Sequence, residues 1–118
     1  MDKKRISTVW AQIVSAYDAT AEYGKYGRTG NPNKTLDVLF EAGVTAEEAR
    51  QVLAIQAMIR PHDLRLDDSR EWLSLSITEP VSDWYGEYGQ FLNQIDAIHP
   101  AHMNGLALAM KKRMEEAV

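Results

Sequence analysis

Along most of this chain, apolar residues return every third or fourth position, and glycines and prolines cut the pattern into short pieces. That period marks helices with one buried face, so the sequence points to packed helices before anything else. Ile6, Val9, Trp10, Ile13, Tyr17 and Ala21 set the first stripe and predict a helix from about Lys3 to about Glu22. Gly24, Gly27 and Gly30 stop it, because glycines this dense cannot hold a helix cheaply. Asn31 followed by Pro32 reads as an N-cap with proline in the first helical position. A short helix follows, with Leu36, Leu39 and Phe40 on one face and Gly43 closing it.

Thr45 and Glu48 have the spacing of a capping box, in which each side chain accepts from the other residue's backbone amide. The third helix should run to Arg60, since Pro61 disfavours helical geometry in the residue before it. Ala49, Val52, Leu53, Ile55, Met58 and Ile59 wrap widely around it, which makes it the central, most buried helix. Asp68 to Glu71 looks like another helix start, yet Leu73, Leu75 and Ile77 alternate as a strand would. A lone strand needs a partner and no other segment alternates well, so a short helix is expected. From Ser82 onward, Trp84, Tyr88, Phe91, Ile95 and Ile98 share a helical face. Pro100 ends that helix or begins the next, in which Met103, Leu106, Ala107, Met110, Met114 and Ala117 line up. Lys111, Lys112 and Arg113 sit near its end, where the helix dipole favours cations. The fold expected is all-α: one compact bundle of about six short-to-medium helices, with residues 1–118 as a single helical domain.

At 118 residues the chain can bury a core without staples. It has no cysteine, which excludes disulfides, thiol catalysis and thiolate metal sites. Met1 to Arg5 followed by Ile6 to Tyr17 has the outline of a signal peptide, but Ser7, Thr8, Gln12 and Ser15 interrupt the apolar stretch. No uncharged run approaches the roughly 20 residues of a membrane span. A cytoplasmic protein that does not engage membranes is the expectation.

Charge is unevenly spread. Residues 61–110 hold eight acidic residues against two basic ones, whereas the segments on either side are each close to balance. The eight are Asp63, Asp67, Asp68, Glu71, Glu79, Asp83, Glu87 and Asp96. Such a stretch reads either as a solvated surface or as a face that steers towards a basic partner. A small internal echo adds to the second reading: Tyr23-Gly24-Lys25-Tyr26-Gly27 returns as Tyr85-Gly86-Glu87-Tyr88-Gly89. Tyrosines beside small residues suit interface anchors, and equally suit close helix contacts or a homodimer surface.

Other segments offer less. Lys25, Arg28 and Thr29, set among glycines, could form an anion-binding nest, although the Lys-Ser/Thr pair of a phosphate-binding P-loop is missing. Asp96, His99 and His102 are spaced three apart, but Pro100 interrupts them, and no fourth metal ligand is indicated. No nucleophile elbow occurs, and Asp67-Asp68 suits the start of a helix better than an acid/base pair. The sequence therefore names no catalytic residue, cofactor or metal.

Residues 34–60 resemble helix-turn-helix regulators over about twenty residues, a glycine turn at Gly43 preceding the second helix. The resemblance implies DNA reading with Lys34 and Arg50 among the contacting cations. Leu39 stands where the motif usually has a small residue, and Glu47 and Glu48 would face phosphates. The leading expectation is a non-enzymatic protein-binding module, an inhibitor or adaptor. It would use Asp63, Asp67, Asp68, Glu71, Asp83, Tyr85, Glu87 and Tyr88 against a basic partner. That partner could be a nucleic-acid-handling protein, as for small phage-borne inhibitors, and direct nucleic-acid binding is not expected.

Overall fold

The computed structural model describes residues 3–25, 27–59, 64–76 and 97–117. Five α-helices occupy most of these: α1 (Lys3–Thr20), α2 (Pro32–Glu41), α3 (Ala46–Ile59), α4 (Asp67–Ser74) and α5 (Pro100–Glu116). The helix expected between Ser82 and Ile98 falls almost wholly outside the described residues. One element was not foreseen. Glu22–Gly24 (β1) and Gly27–Thr29 (β2) pair antiparallel, Glu22 opposite Thr29 and Gly24 opposite Gly27, where a plain link was expected. Gly27 has φ +105, a backbone conformation open to glycine at little cost, so a glycine beyond the end of α1 permits the reversal.

Local signals fix most helix ends. Asn31 Oδ1 accepts from the Lys34 amide at 3.2 Å, and Pro32 opens α2 as expected. At the other end of α2, Gly43 (φ +92) donates its amide to Phe40 O, and Val44 donates to Leu39 O. This is the paired closure of a Schellman motif, and Leu39 and Val44 are both buried beneath it. The capping box forms as read: Thr45 N donates to Glu48 Oε1 at 3.0 Å, and Glu48 N to Thr45 Oγ1 at 3.1 Å. His99 caps α5, its Nδ1 accepting from the Ala101 amide at 3.1 Å, so Pro100 begins this helix. The start of α4 departs from expectation. A 3-10 turn, Leu64–Leu66, leads into it and no side chain caps it; Asp67 and Asp68 sit in its first turn, where carboxylates favour the helix dipole.

The core is one contiguous cluster. Ile6, Val9, Trp10 and Ile13 of α1 meet Leu36 and Leu39 of α2, Val52 to Ile55 of α3, Leu73 of α4 and Met103, Leu106 and Met110 of α5. Helix α3 packs against α1, α4 and α5, and every residue from Val52 to Ala57 is buried. The wide apolar wrap of α3 thus reflects its central position. On α5 the expected stripe holds through Met110, Met114 is half-buried, and Ala117 is exposed.

Two arginines bind distant helices to the α2–α3 pair. Arg5 of α1 grips the capping-box carboxylate, Nε to Glu48 Oε2 at 2.6 Å and Nη2 to Oε1 at 3.1 Å. Arg113 of α5 reaches Asp37 Oδ1 at 2.9 Å and the Asn33 carbonyl at 3.1 Å. The Arg5 hydrogen bond, helped by that from the Thr45 amide, holds the Glu48 carboxyl at about 2, against 4.5 ordinarily. A folded-state value below the unfolded one means stabilisation that is complete above about pH 4.5 and lost as pH falls through about 2. Glu48→Gln should keep the cap, since an amide oxygen can still accept, and remove this contribution to acid unfolding. Glu48→Ala should lose cap and ion pair together, about 1–2 kcal/mol. Urea melts of both variants at pH 7 and pH 3 check this, and an acid sensitivity in Glu48→Gln equal to wild type would refute it.

Candidate protein-interaction surface

Helix α4 turns one face inward. Leu66, Ser69 and Leu73, spaced three and four apart, are buried, and Ser69 Oγ bonds back to Leu66 O at 3.3 Å. The opposite face carries Asp67, Asp68 and Glu71, all exposed. At its two ends stand Leu64 and Leu75, 79% and 72% exposed. Asp67 is shared with Arg70 at 3.5 Å, whereas Asp68 and Glu71 make no ion pair among the described residues.

The helix is firmly mounted. Arg50 of α3 donates to Trp72 O at 2.6 Å with its guanidinium 4.1 Å from the Trp72 ring centroid. Arg70 reaches back to the Ala57 carbonyl at 2.8 Å. Both arginines bond carbonyls on the facing helix, so α4 is fixed to α3 at either side of its buried face. Charge of one sign is therefore presented on a rigid element, which lowers the entropy cost of docking.

Of the residues expected to form an acidic, tyrosine-containing face, the structure gathers Asp67, Asp68 and Glu71. Asp63, Asp83, Tyr85, Glu87 and Tyr88 lie outside the described residues. Tyr23, from the first copy of the echo, is 83% exposed on the hairpin, in register with Arg28. Leu64 and Leu75 were missed. Their signal is present in the spacing, since they fall out of phase with Leu66 and Leu73, but an apolar residue near a helix is ordinarily counted as core.

The segment proposed as an anion nest has another geometry. Lys25 occupies the hairpin turn, Arg28 lies in β2, and Thr29 Oγ1 donates to Glu22 O at 3.3 Å across the hairpin. Thr29 also borders a cleft of about 300 Å³ with Tyr17, Gly30, Pro32, His99 and His102. The His102 ring lies 4.2 Å from that of Tyr17, tilted by 51°, and His99 Nε2 is 2.7 Å from Arg65 Nη1. Each histidine thus has an interaction of its own. Among the described residues no three acidic or histidine side chains gather to hold a metal.

The helix-turn-helix segment folds as α2 and α3, but α3 lies inside the core, and Arg50 points to α4. Lys34 is paired with Glu22 at 3.3 Å. A recognition helix must offer a side-chain face to the major groove, and α3 is buried from Val52 to Ala57. No described helix is long and apolar enough to cross a membrane. No protein family, curated protein or solved structure matches this chain.

Proposed function

We propose that this protein is a non-enzymatic binding module, of inhibitor or adaptor type, that presents α4 to a basic surface on another protein. The observation that carries this reading is the pair Asp68 and Glu71, exposed and without an ion pair among the described residues, on a helix clamped to the core. Unneutralised carboxylates on a rigid mount speed encounter with a cationic partner and select against acidic ones. A nucleic-acid-handling protein, whose groove is basic for the sake of phosphates, is a suitable partner by that chemistry. The helix-turn-helix alternative is not carried forward, because its recognition helix would have to leave the core.

The test is capture from host lysate with wild type and with Asp68→Lys/Glu71→Lys. Both positions are exposed, so the variant should keep the wild-type melting temperature. Basic proteins held by wild type at roughly 50 mM salt should be released at roughly 500 mM and be absent from the variant. Identical capture by the two proteins would end the proposal.

A further inference from the structure

The geometry points to a partner that docks on α4 with a basic amphipathic helix, its cations over Asp68 and Glu71 and an apolar anchor on each of Leu64 and Leu75. The inference rests on the binding role proposed above and specifies its occupant. Leu64, Asp68, Glu71 and Leu75 follow one another at four, three and four residues, from the 3-10 turn through α4 to its C-cap residue. All four are exposed, while Leu66, Ser69 and Leu73 on the other side are buried. The stripe begins in the 3-10 turn, crosses the two turns of α4 and ends on the C-cap residue, apolar at both ends and acidic between them. Two leucines open to water at 79% and 72% gain by being covered, and the carboxylates between them fix the sign of what covers them.

Three kinds of occupant can be compared. A second copy of this chain, docked by two-fold symmetry on the same stripe, would set Asp68 and Glu71 against their own counterparts. An extended peptide takes much of its affinity from main-chain bonds to a sheet edge, and α4 has spent its backbone groups internally. A helix requires only side chains in register, and its own stripe of apolar, basic, apolar character matches this one in order and sign.

The test uses the full-length protein, nitrogen-15 labelled, and a synthetic peptide of roughly 18 residues with leucines on one helical face and lysines beside them. Amide shifts should concentrate between Leu64 and Ser76. Leu64→Ser/Leu75→Ser should keep its melting temperature and weaken binding about tenfold or more at low and high salt alike. Asp68→Asn/Glu71→Gln should weaken it chiefly at low salt. The same peptide with glutamate in place of lysine should not bind. Shifts centred elsewhere, or full affinity in the leucine variant, would overturn the inference. If the leucine variant binds fully while the carboxylate variant fails, the inference falls and the acidic binding role stands. If neither variant matters, both fall.

Discussion

Replacing Gln56 with methionine should raise the melting temperature. Gln56 is wholly buried in the last turn of α3, and among the described residues neither the oxygen nor the nitrogen of its amide has a hydrogen-bond partner. Each buried polar group left unsatisfied costs about 1–3 kcal/mol of desolvation that nothing returns. Methionine has nearly the same volume and a flexible, apolar end, so it can occupy the space without overpacking its neighbours. The expected gain is about 2 kcal/mol, a rise of about 8 °C for a chain of this length. A calorimetric melt of Gln56→Met decides it. A fall in melting temperature would mean that the amide is satisfied in solution and that the apolar replacement has broken that bond.

An alanine at position 30 should act in the opposite direction. A Cβ on Gly30 would lie 1.8 Å from Nδ1 and 2.2 Å from Cε1 of His102, far inside contact distance. The imidazole packs against the Tyr17 ring, centroids 4.2 Å apart, and the residue is only 9% exposed, so displacing it costs that contact. Either the ring swings into the neighbouring cleft and loses the Tyr17 contact, or the turn into α2 or the first turn of α5 moves. Overpacking of this kind costs about 1–3 kcal/mol. The cause can be separated from any general effect of alanine at this turn by adding His102→Ala. Gly30→Ala in that background should cost about 1 kcal/mol or less, leaving a coupling energy of about 1–2 kcal/mol between the two positions. Equal costs in both backgrounds would show that the clash is not with the histidine.

The residues that declared themselves in the sequence are those whose work is local. Asn31-Pro32, Gly43 and the Thr45–Glu48 box act within a turn or two of chain, so their geometry follows from spacing, and the structure places them as read. The apolar stripes of α1 and α5 were legible for the same reason, as was the central place of α3. What escaped depended on contacts distant in sequence. Nothing near Glu48 announces Arg5, nothing near Tyr17 announces His102, and Arg50 was weighed as a DNA contact when it is bonded to α4. The hairpin was missed because strands of three residues are too short to show alternation. Of the expected acidic face, Asp67, Asp68 and Glu71 were correctly placed in a helix's first turns. That Leu64 and Leu75 flank them on the exposed side required knowing which way α4 faces the core, and that is settled by its packing on α3 and by Arg50 and Arg70.

The α2–α3 pair is held from both directions along the chain, α3 by Arg5 from upstream and α2 by Arg113 from far downstream. Helix α5 also supplies Met103, Leu106, Ala107 and Met110 to the shared interior. During synthesis the upstream clasp can close early, but the apolar surface it organises stays uncovered until the seventeen residues of α5 have left the ribosome. Until α5 emerges, the nascent chain is therefore a half-shell open to chaperones and proteases, and it becomes resistant once α5 has docked.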